Sequence, residues 1–499
     1  MGKLSYQKVL LLTESGNIVL VQPRTGSWDY LGARIPEGLL GIASIPVTEG
    51  YKVTIIDQRV EPDWQDKLNE ALKKDPILVG TTAMTGPQIK FAIELAKMTK
   101  EFNKNIPVMF GGMHPTMQPY QTLGNSYVDI ITIGEGELTF AELIHMIEKN
   151  SNLRNVKGIG FKENGNIVIN EKRENLRNLD ELSDLPYHLI DMDKYYAVDF
   201  RGKQSIILTT SRGCPYRCTF CINPAVYKNT WRCYSAGRII EKIRFIIEKY
   251  GIKDFFFQDD NFGTDPKRVK EILSGIVHEF DDVAWGTLGI RADAICRMDE
   301  EYQQLLVKSG CKNIDVGVET GSPRMLQLMK KDENVEDFIN ANRILAKLGI
   351  ISKFTFILGY PTETEEDIQM SKDLALRLIK ENKNAYCIFF TFCPYLGTEA
   401  WKLSVQHGFK PPQSLEEWAN FDFDGWTKNS PAWLDKRRLK IIDNINFTSY
   451  FMNKNVKYKI STRKGKVFFD VYSPIARFRF KHNFYYFPIE RKLRDKLLA

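Results

Sequence analysis

Apolar positions along this chain follow one rhythm twice and then lose it. Over residues 17–150, short apolar runs alternate with longer amphipathic segments. The runs are IVLVQP (18–23), KVTIID (52–57), ILVGTT (77–82), PVMFGG (107–112) and DIITIG (129–134). Between them, segments such as PQIKFAIELAKMTKEF (87–102) place apolar residues every three to four positions. Continuous apolar runs suit strands covered on both faces, and the wider spacing suits helices buried on one side. Residues 1–150 therefore predict a doubly wound parallel sheet, an α/β domain. Residues 151–200, with KENGNI and LDELSDLPYHLIDMDKYY, predict a small hairpin followed by a connecting segment.

A second βα rhythm occupies residues 201–400. Its predicted strands are SIILTT (205–210), DFFFQDD (254–260), AWGTLGI (284–290), NIDVGVE (313–319), KFTFILG (353–359) and AYCIFFTF (385–392), with helices at 236–250 and 266–280 among the connections. Six βα units are too few for a closed eight-stranded barrel, so the expectation is an open, partial (β/α)6 barrel. Residues 401–499 have no such alternation and form an aromatic-bearing, α-rich C-terminal region.

Length and composition agree with several soluble domains: 499 residues, 43% apolar and 26% charged,. No apolar run approaches the roughly 18 residues of a membrane span. The basic N-terminal stretch has an apolar run too short for a signal peptide. Eight cysteines, three of them clustered, do not make a disulfide framework, which points to a reducing, cytoplasmic setting,. The net charge of +7 is uneven: residues 453–499 carry 13 Lys and Arg against 3 Asp and Glu, so the remainder is slightly acidic. That distribution argues against a nucleic-acid surface over the body.

Parallel sheets bind ligands at the carboxyl ends of their strands. In the N-terminal domain those ends carry Thr81, Thr82, Gly111, Gly112 and GEGE (134–137). Small residues there let backbone amides approach a bulky or phosphorylated ligand, although a plain loop requirement would also explain them. No G-x-G-x-x-G opens the first helix, so a dinucleotide fingerprint is missing. The strongest chemical signal is TTSRGCPYRCTFCINP (209–224), directly after a predicted strand. Thiolates are soft ligands for iron–sulfur clusters and zinc. Cys214, Cys218 and Cys221 lack a close fourth donor, because Cys233 is twelve residues on and no histidine is near. Three thiolates without a fourth suggest a cubane with one open iron. Zinc, or three inert buried cysteines, are the alternatives.

The Cys-x3-Cys-x2-Cys spacing, read here as CPYRCTFC with Phe220 before the last cysteine, resembles the radical S-adenosylmethionine (SAM) superfamily over roughly 200–400. The resemblance implies a 4Fe–4S cluster on Cys214, Cys218 and Cys221, an open iron that chelates SAM, and reductive release of a 5′-deoxyadenosyl radical. It also implies an electron donor of the flavodoxin or ferredoxin type. FFFQDDNF, GVETGSPRML and FILGYPTETEED stand where that family contacts SAM. Asp259 or Asp260 is then expected at the amino group, Arg291 at the carboxylate, and Glu319 near the ribose or methionine end. Thr362 replaces a glycine common in the family.

With PEGLLGIASIPVTEGYKVTIID, GTTAMTGPQIKFAIELA, GGMHPT and GEGELTFAEL ahead of the cysteines, nearly all of 17–400 resembles the cobalamin-binding class of these enzymes. Thr81, Thr82, Thr85, Gly111, Gly112, Gly134 and Glu135 are expected around the corrin. None of the six histidines follows an Asp by two, so the motif that supplies an axial histidine is absent. His114 stays a candidate contact. No cysteine precedes Cys214, which separates the chain from methylthiotransferases with a second cluster. The resemblance implies methylation of an unactivated carbon in a small molecule or lipid through methylcobalamin. Cobalamin-assisted cyclisation, oxidation or carbon–carbon coupling is the alternative, and a non-catalytic cobalamin sensor is a third reading.

Cys387 and Cys393 flank the last barrel strand and could approach the site; otherwise the scattered cysteines are small hydrophobes. SPIARFRFKHNFYYFPIERKLRDKLL (473–498) interleaves cations with aromatics. It fits a helix packed on the barrel, a membrane-surface segment or a base-stacking groove. The tryptophans of 416–433 either line a substrate or pack in a core.

Overall fold

The computed structural model describes residues 16–26, 29, 33–195, 197–198, 201–421, 431–453 and 463–485. Strands β1 (Asn17–Gln22), β2 (Lys52–Asp57), β3 (Leu78–Thr82), β4 (Val108–Gly111) and β5 (Ile130–Thr132) coincide with the five predicted runs. They pair in parallel in the order β2–β1–β3–β4–β5. Strand order reverses between β1 and β3, which opens a crevice at their carboxyl ends. Ile18, Leu20, Leu78 and Met109 are buried beneath helices, as their unbroken apolar runs require,. The hairpin, β6 (Ile159–Glu163) and β7 (Asn166–Ile169), extends this sheet antiparallel beyond β5.

The second sheet begins with β8 (Ala197–Val198) and β9 (Gln204–Leu208). A separate ribbon follows, β10 (Ser211–Gly213) paired with β11 (Trp231–Cys233), and the cysteine loop runs between its strands. Then come β12 (Asp254–Phe257), β13 (Ala284–Thr287), β14 (Cys311–Glu319), β15 (Ile351–Leu358) and β16 (Ala385–Thr391). Strands β9 and β12–β16 are parallel in chain order, with β8 antiparallel at the edge. Strand β9 has β8 and β12 as neighbours and β16 lies at the other end, so the barrel is open. Helix Ala236–Tyr250 matches its prediction because both ends are encoded locally. Ser235 Oγ accepts the Arg238 N–H, and Gly251 at φ +69° ends it,.

Beyond β16 the regular elements among the described residues are helices. Helix Lys436–Ser449 covers β16, and helix Arg463–Lys481 packs outside it, with Phe469, Tyr472 and Ala476 meeting Tyr386, Ile388, Phe447 and Phe451. The short helix Leu415–Trp418 returns to the N-terminal domain. Trp418 donates its indole N–H to Gln121 Oε1 at 2.7 Å and meets His114 edge-on. Trp418 is therefore core. Trp433 donates to the Gly359 carbonyl at 2.9 Å, and Trp426 lies outside the described residues. No helix among the described residues is long and apolar enough to cross a membrane.

His114 gives this interface a pH dependence. Its ring is 1% exposed, Nδ1 lies 3.1 Å from Thr85 Oγ1, and burial pushes its pKa down to about 4. The unfolded state thus binds the proton first as pH falls below the ordinary histidine value. Stability is intact above about pH 6.5 and declines toward about pH 4, by about 2 kcal/mol between pH 7 and pH 5. Urea unfolding at both pH values measures this, and His114→Gln should remove that share of the slope.

Candidate active site

The carboxyl ends of β3, β4 and β5 and the first turns of helix Glu37–Thr48 enclose a cavity of about 420 Å³, closed from the other side by the barrel. Thr81, Thr82, Gly111, Gly112, Gly134 and Glu135 all line it. Gly112 stands at φ +95°, and a Cβ there would lie 2.6 Å from Thr82 Oγ1. Only glycine fits that backbone without strain, and its lack of a side chain leaves the floor flat. Thr85 is turned away, because its hydroxyl is the hydrogen-bond partner of buried His114. Thr81 lines the cavity while its hydroxyl donates to the Val21 carbonyl at 2.9 Å.

From the barrel, Thr209, Ser211, Arg212, Tyr234, Lys242 and Asp260 complete the wall. Asp260 Oδ2 accepts the Gly213 N–H at 3.0 Å, and its charge adds to the burial that raises the Cys214 and Cys221 thiols. Its neighbour Asp259 departs from expectation. Its carboxylate is 2% exposed and accepts the Thr210 N–H at 2.6 Å, the Ser211 N–H at 3.1 Å and the Thr210 hydroxyl. Asp259 therefore ties down the strand entering the cysteine loop, and Asp260 alone of the pair reaches the cavity.

Burial pushes all three clustered thiols upward, Cys221 to about 12. Arg291 acts against this at Cys214 and Cys218, and Lys331 at Cys218. The Arg291 guanidinium lies 3.8 Å over the Tyr216 ring and binds Asp293 at 3.0 Å. Glu319 sits at φ +66° in a bulge of β14, buried, 3.6 Å from Lys331, which in turn lies 3.3 Å from Glu333. Glu333 Oε2 is fully enclosed and makes no hydrogen bond. Arg291 also lies 3.5 Å from Glu333, so two cations serve this buried carboxylate, and backbone strain at the neighbouring Glu319 is a feature that gathers at functional sites,. Lys331 and Glu333 were invisible as site residues in the sequence, where KKDENVED looks like a solvated charge run. Phe220 packs against the Met325, Met329 and Tyr360 cluster.

Among the described residues no three His, Cys, Asp or Glu side chains stand at the spacing of a single bound ion. A cubane is wider than one ion, and Cys214, Cys218 and Cys221 still sense one another's charge, so the all-sulfur donor set fits a cluster,. Cys387 lies in the core with its thiol toward the Ala375 carbonyl. Cys393 shares its neighbour Tyr395 with Cys221.

A feature absent from the sequence reading joins the two halves. Arg212 and Arg232 face each other across the β10–β11 ribbon, where like charges would repel,. Two carboxylates of GEGE receive them: Arg212 binds Glu137 at 2.6 Å and Glu135 at 3.4 Å, and Arg232 binds Glu135. The Thr209 hydroxyl adds a bond to Glu37 at 2.7 Å. Glu135 is thus both cavity wall and ion-pair partner.

A cysteine loop set beside a flat-floored cavity between two α/β domains defines a class. The Radical SAM superfamily pattern matches residues 208–375, and the B12 binding domain pattern matches 24–144. The chain is 32% identical over 389 residues to an uncharacterized methyltransferase of Pyrococcus horikoshii, covering 78% of this chain and 82% of that one. It belongs to the cobalamin-binding radical SAM enzymes, in their methyltransferase family. Their cofactors are a 4Fe–4S cluster, SAM and cobalamin. An anaerobic magnesium-protoporphyrin IX monomethyl ester cyclase of Cereibacter sphaeroides is 27% identical over 368 residues, covering 72% of this chain and 59% of that one. In fold, the chain is similar to the cobalamin-dependent SAM radical enzyme OxsB with aqua-cobalamin and SAM bound. The TM-score is 0.74 at 20% identity, covering 93% of this chain and 72% of that one.

Proposed function

We propose that this enzyme methylates an unactivated carbon of a small molecule or lipid, with Cys214, Cys218 and Cys221 holding the cluster. The observation that carries this reading is the position of Asp260, which touches the cysteine loop and lines the inter-domain cavity at once. Together the bound cofactors supply one-electron cleavage of SAM, hydrogen abstraction from the substrate and a transferable methyl group. The chain's own residues orient and enclose. Asp260 is available to the SAM amino group, and Arg291, already braced by Asp293 and Tyr216, to its carboxylate. Glu319 and Glu333, held by Lys331, offer acceptors for ribose or methionine donors. Thr82, Gly111, Gly112 and Gly134 give the corrin a close backbone surface. The cysteines, buried only in part, leave an approach for a flavodoxin- or ferredoxin-type donor. A peripheral contact between the C-terminal helix and a membrane would deliver a lipid acceptor.

The test is anaerobic incubation of the reconstituted enzyme with cobalamin and SAM labelled on its methyl group. The corrinoid should become labelled, as read by mass spectrometry. The cyclase relative favours a second reading, radical chemistry without methylation. Unlabelled cobalamin together with 5′-deoxyadenosine formation would select it.

A further inference from the structure

Helix Arg463–Lys481 has two apolar faces. Phe469, Tyr472, Ala476 and Phe480 are buried against the barrel side. On another face Val467, Val471, Ile475 and Phe478 recur every three to four residues and are 56%, 67%, 51% and 57% exposed. A helix that serves only the core turns polar residues outward. Four large apolar side chains in line on a surface require a cover. Beside this stripe, Arg477 and Lys481 form one wall of a cavity of about 580 Å³. Lys380 and Lys383 stand on its other side, over Leu376 and Met452.

We propose that stripe and cavity together form a docking surface for an anionic phospholipid bilayer. The stripe enters the headgroup–acyl boundary, and the cations receive lipid phosphates. Charge complementarity selects this occupant: Lys380, Lys383, Arg477 and Lys481 line the cavity with no Asp or Glu among its lining residues, and Asp470 is the one acid within the helix. An apolar stripe flanked by Lys and Arg is the pattern of helices that lie in a bilayer interface. The helix is also fixed in place before it meets a membrane. Lys372 Nζ bonds Asn483, Asn483 Nδ2 donates to Gln369 Oε1 at 2.9 Å, and Arg477 Nε donates to the Met452 carbonyl at 3.2 Å. Binding therefore costs little ordering. This deepens the peripheral contact proposed above and is independent of the methyl-transfer chemistry.

The experiment is flotation of the full chain with vesicles of phosphatidylcholine mixed with phosphatidylglycerol, and of phosphatidylcholine alone. SAM cleavage is followed in parallel, so that loss of docking and loss of catalysis are read separately. The chain is expected to float with the mixed vesicles and not with phosphatidylcholine alone. The double variant Val471→Asp, Ile475→Asp should weaken flotation at least about tenfold, since two immersed side chains become charged. Lys380→Glu with Lys481→Glu should do the same, and both variants should keep wild-type SAM cleavage and thermal unfolding. Equal flotation with both vesicle types, or unchanged flotation of both variants, overturns the proposal. So does a concentration-dependent dimer that Val471→Asp, Ile475→Asp abolishes, because the face would then serve a second copy.

Discussion

Replacing Cys218 with alanine should reduce release of 5′-deoxyadenosine from SAM to background. Cys218 is largely buried, and Lys331, Arg291, Glu319 and Glu333 all act on its thiol. It stands between the other two cysteines in the loop. With one thiolate missing, a cluster already one ligand short loses its hold, and the electron needed to cleave the sulfonium has no carrier. The readouts are 5′-deoxyadenosine by mass spectrometry, iron content and the visible absorption of the reconstituted protein. Cys387→Ala is the matched control: its thiol is buried in the core and points to the Ala375 carbonyl, so it should retain iron and activity. Full SAM cleavage in Cys218→Ala would remove the cluster assignment.

Arg212→Met should destabilise the enzyme by about 2–4 kcal/mol, the cost of removing one partner from a largely buried ion pair. Glu137 would keep its charge with its side chain only 11% exposed and its nearest cation gone. Arg232 would remain with Glu135. Because the pair closes the cavity wall, retention of cobalamin through gel filtration should fall as well. The shift is measured by urea unfolding. Adding Glu137→Gln should recover part of it, since the uncompensated charge is then removed. A variant with unchanged stability and cobalamin content would reduce the ion pairs to surface ornament, worth well under about 1 kcal/mol.

The two folds were legible because their signals are local. A strand covered on both faces must be apolar at consecutive positions, and a helix buried on one side must repeat every three to four. Those requirements hold wherever the strand finally pairs, so β1–β5, β9 and β12–β16 could be marked in advance, whereas the short β10–β11 ribbon could not. Cap residues such as Ser235 and Gly251 act within one turn and are equally readable. The cysteine triad was readable for the same reason: all three thiols come from one loop.

Other features had no local signature. The sequence offered Asp259 and Asp260 as equivalents, and only folding turned the first onto the Thr210 and Ser211 backbone and the second into the cavity. Thr85 was expected with Thr81 and Thr82, but its hydroxyl serves His114, whose burial depends on Trp418 from the far end of the chain. Lys331 and Glu333 carry no local mark of a site; only the fold of the loop after helix Pro323–Leu328 brings them close enough to act on Cys218. Arg212 and Glu137 are 75 residues apart, and an ion pair leaves no periodic trace in either segment. The outer stripe of helix Arg463–Lys481 was hidden among aromatics that share its composition but face inward. By itself, then, the sequence determined the βα order, the grouping of three cysteines in one loop and the class of chemistry, because each is specified by neighbours in the chain. The tertiary structure alone decided which carboxylates reach the site, how the two domains are locked together and which face of the last helix meets the outside. Those depend on pairing between distant segments, where the choice is made by packing and by the cost of burying an unpartnered charge.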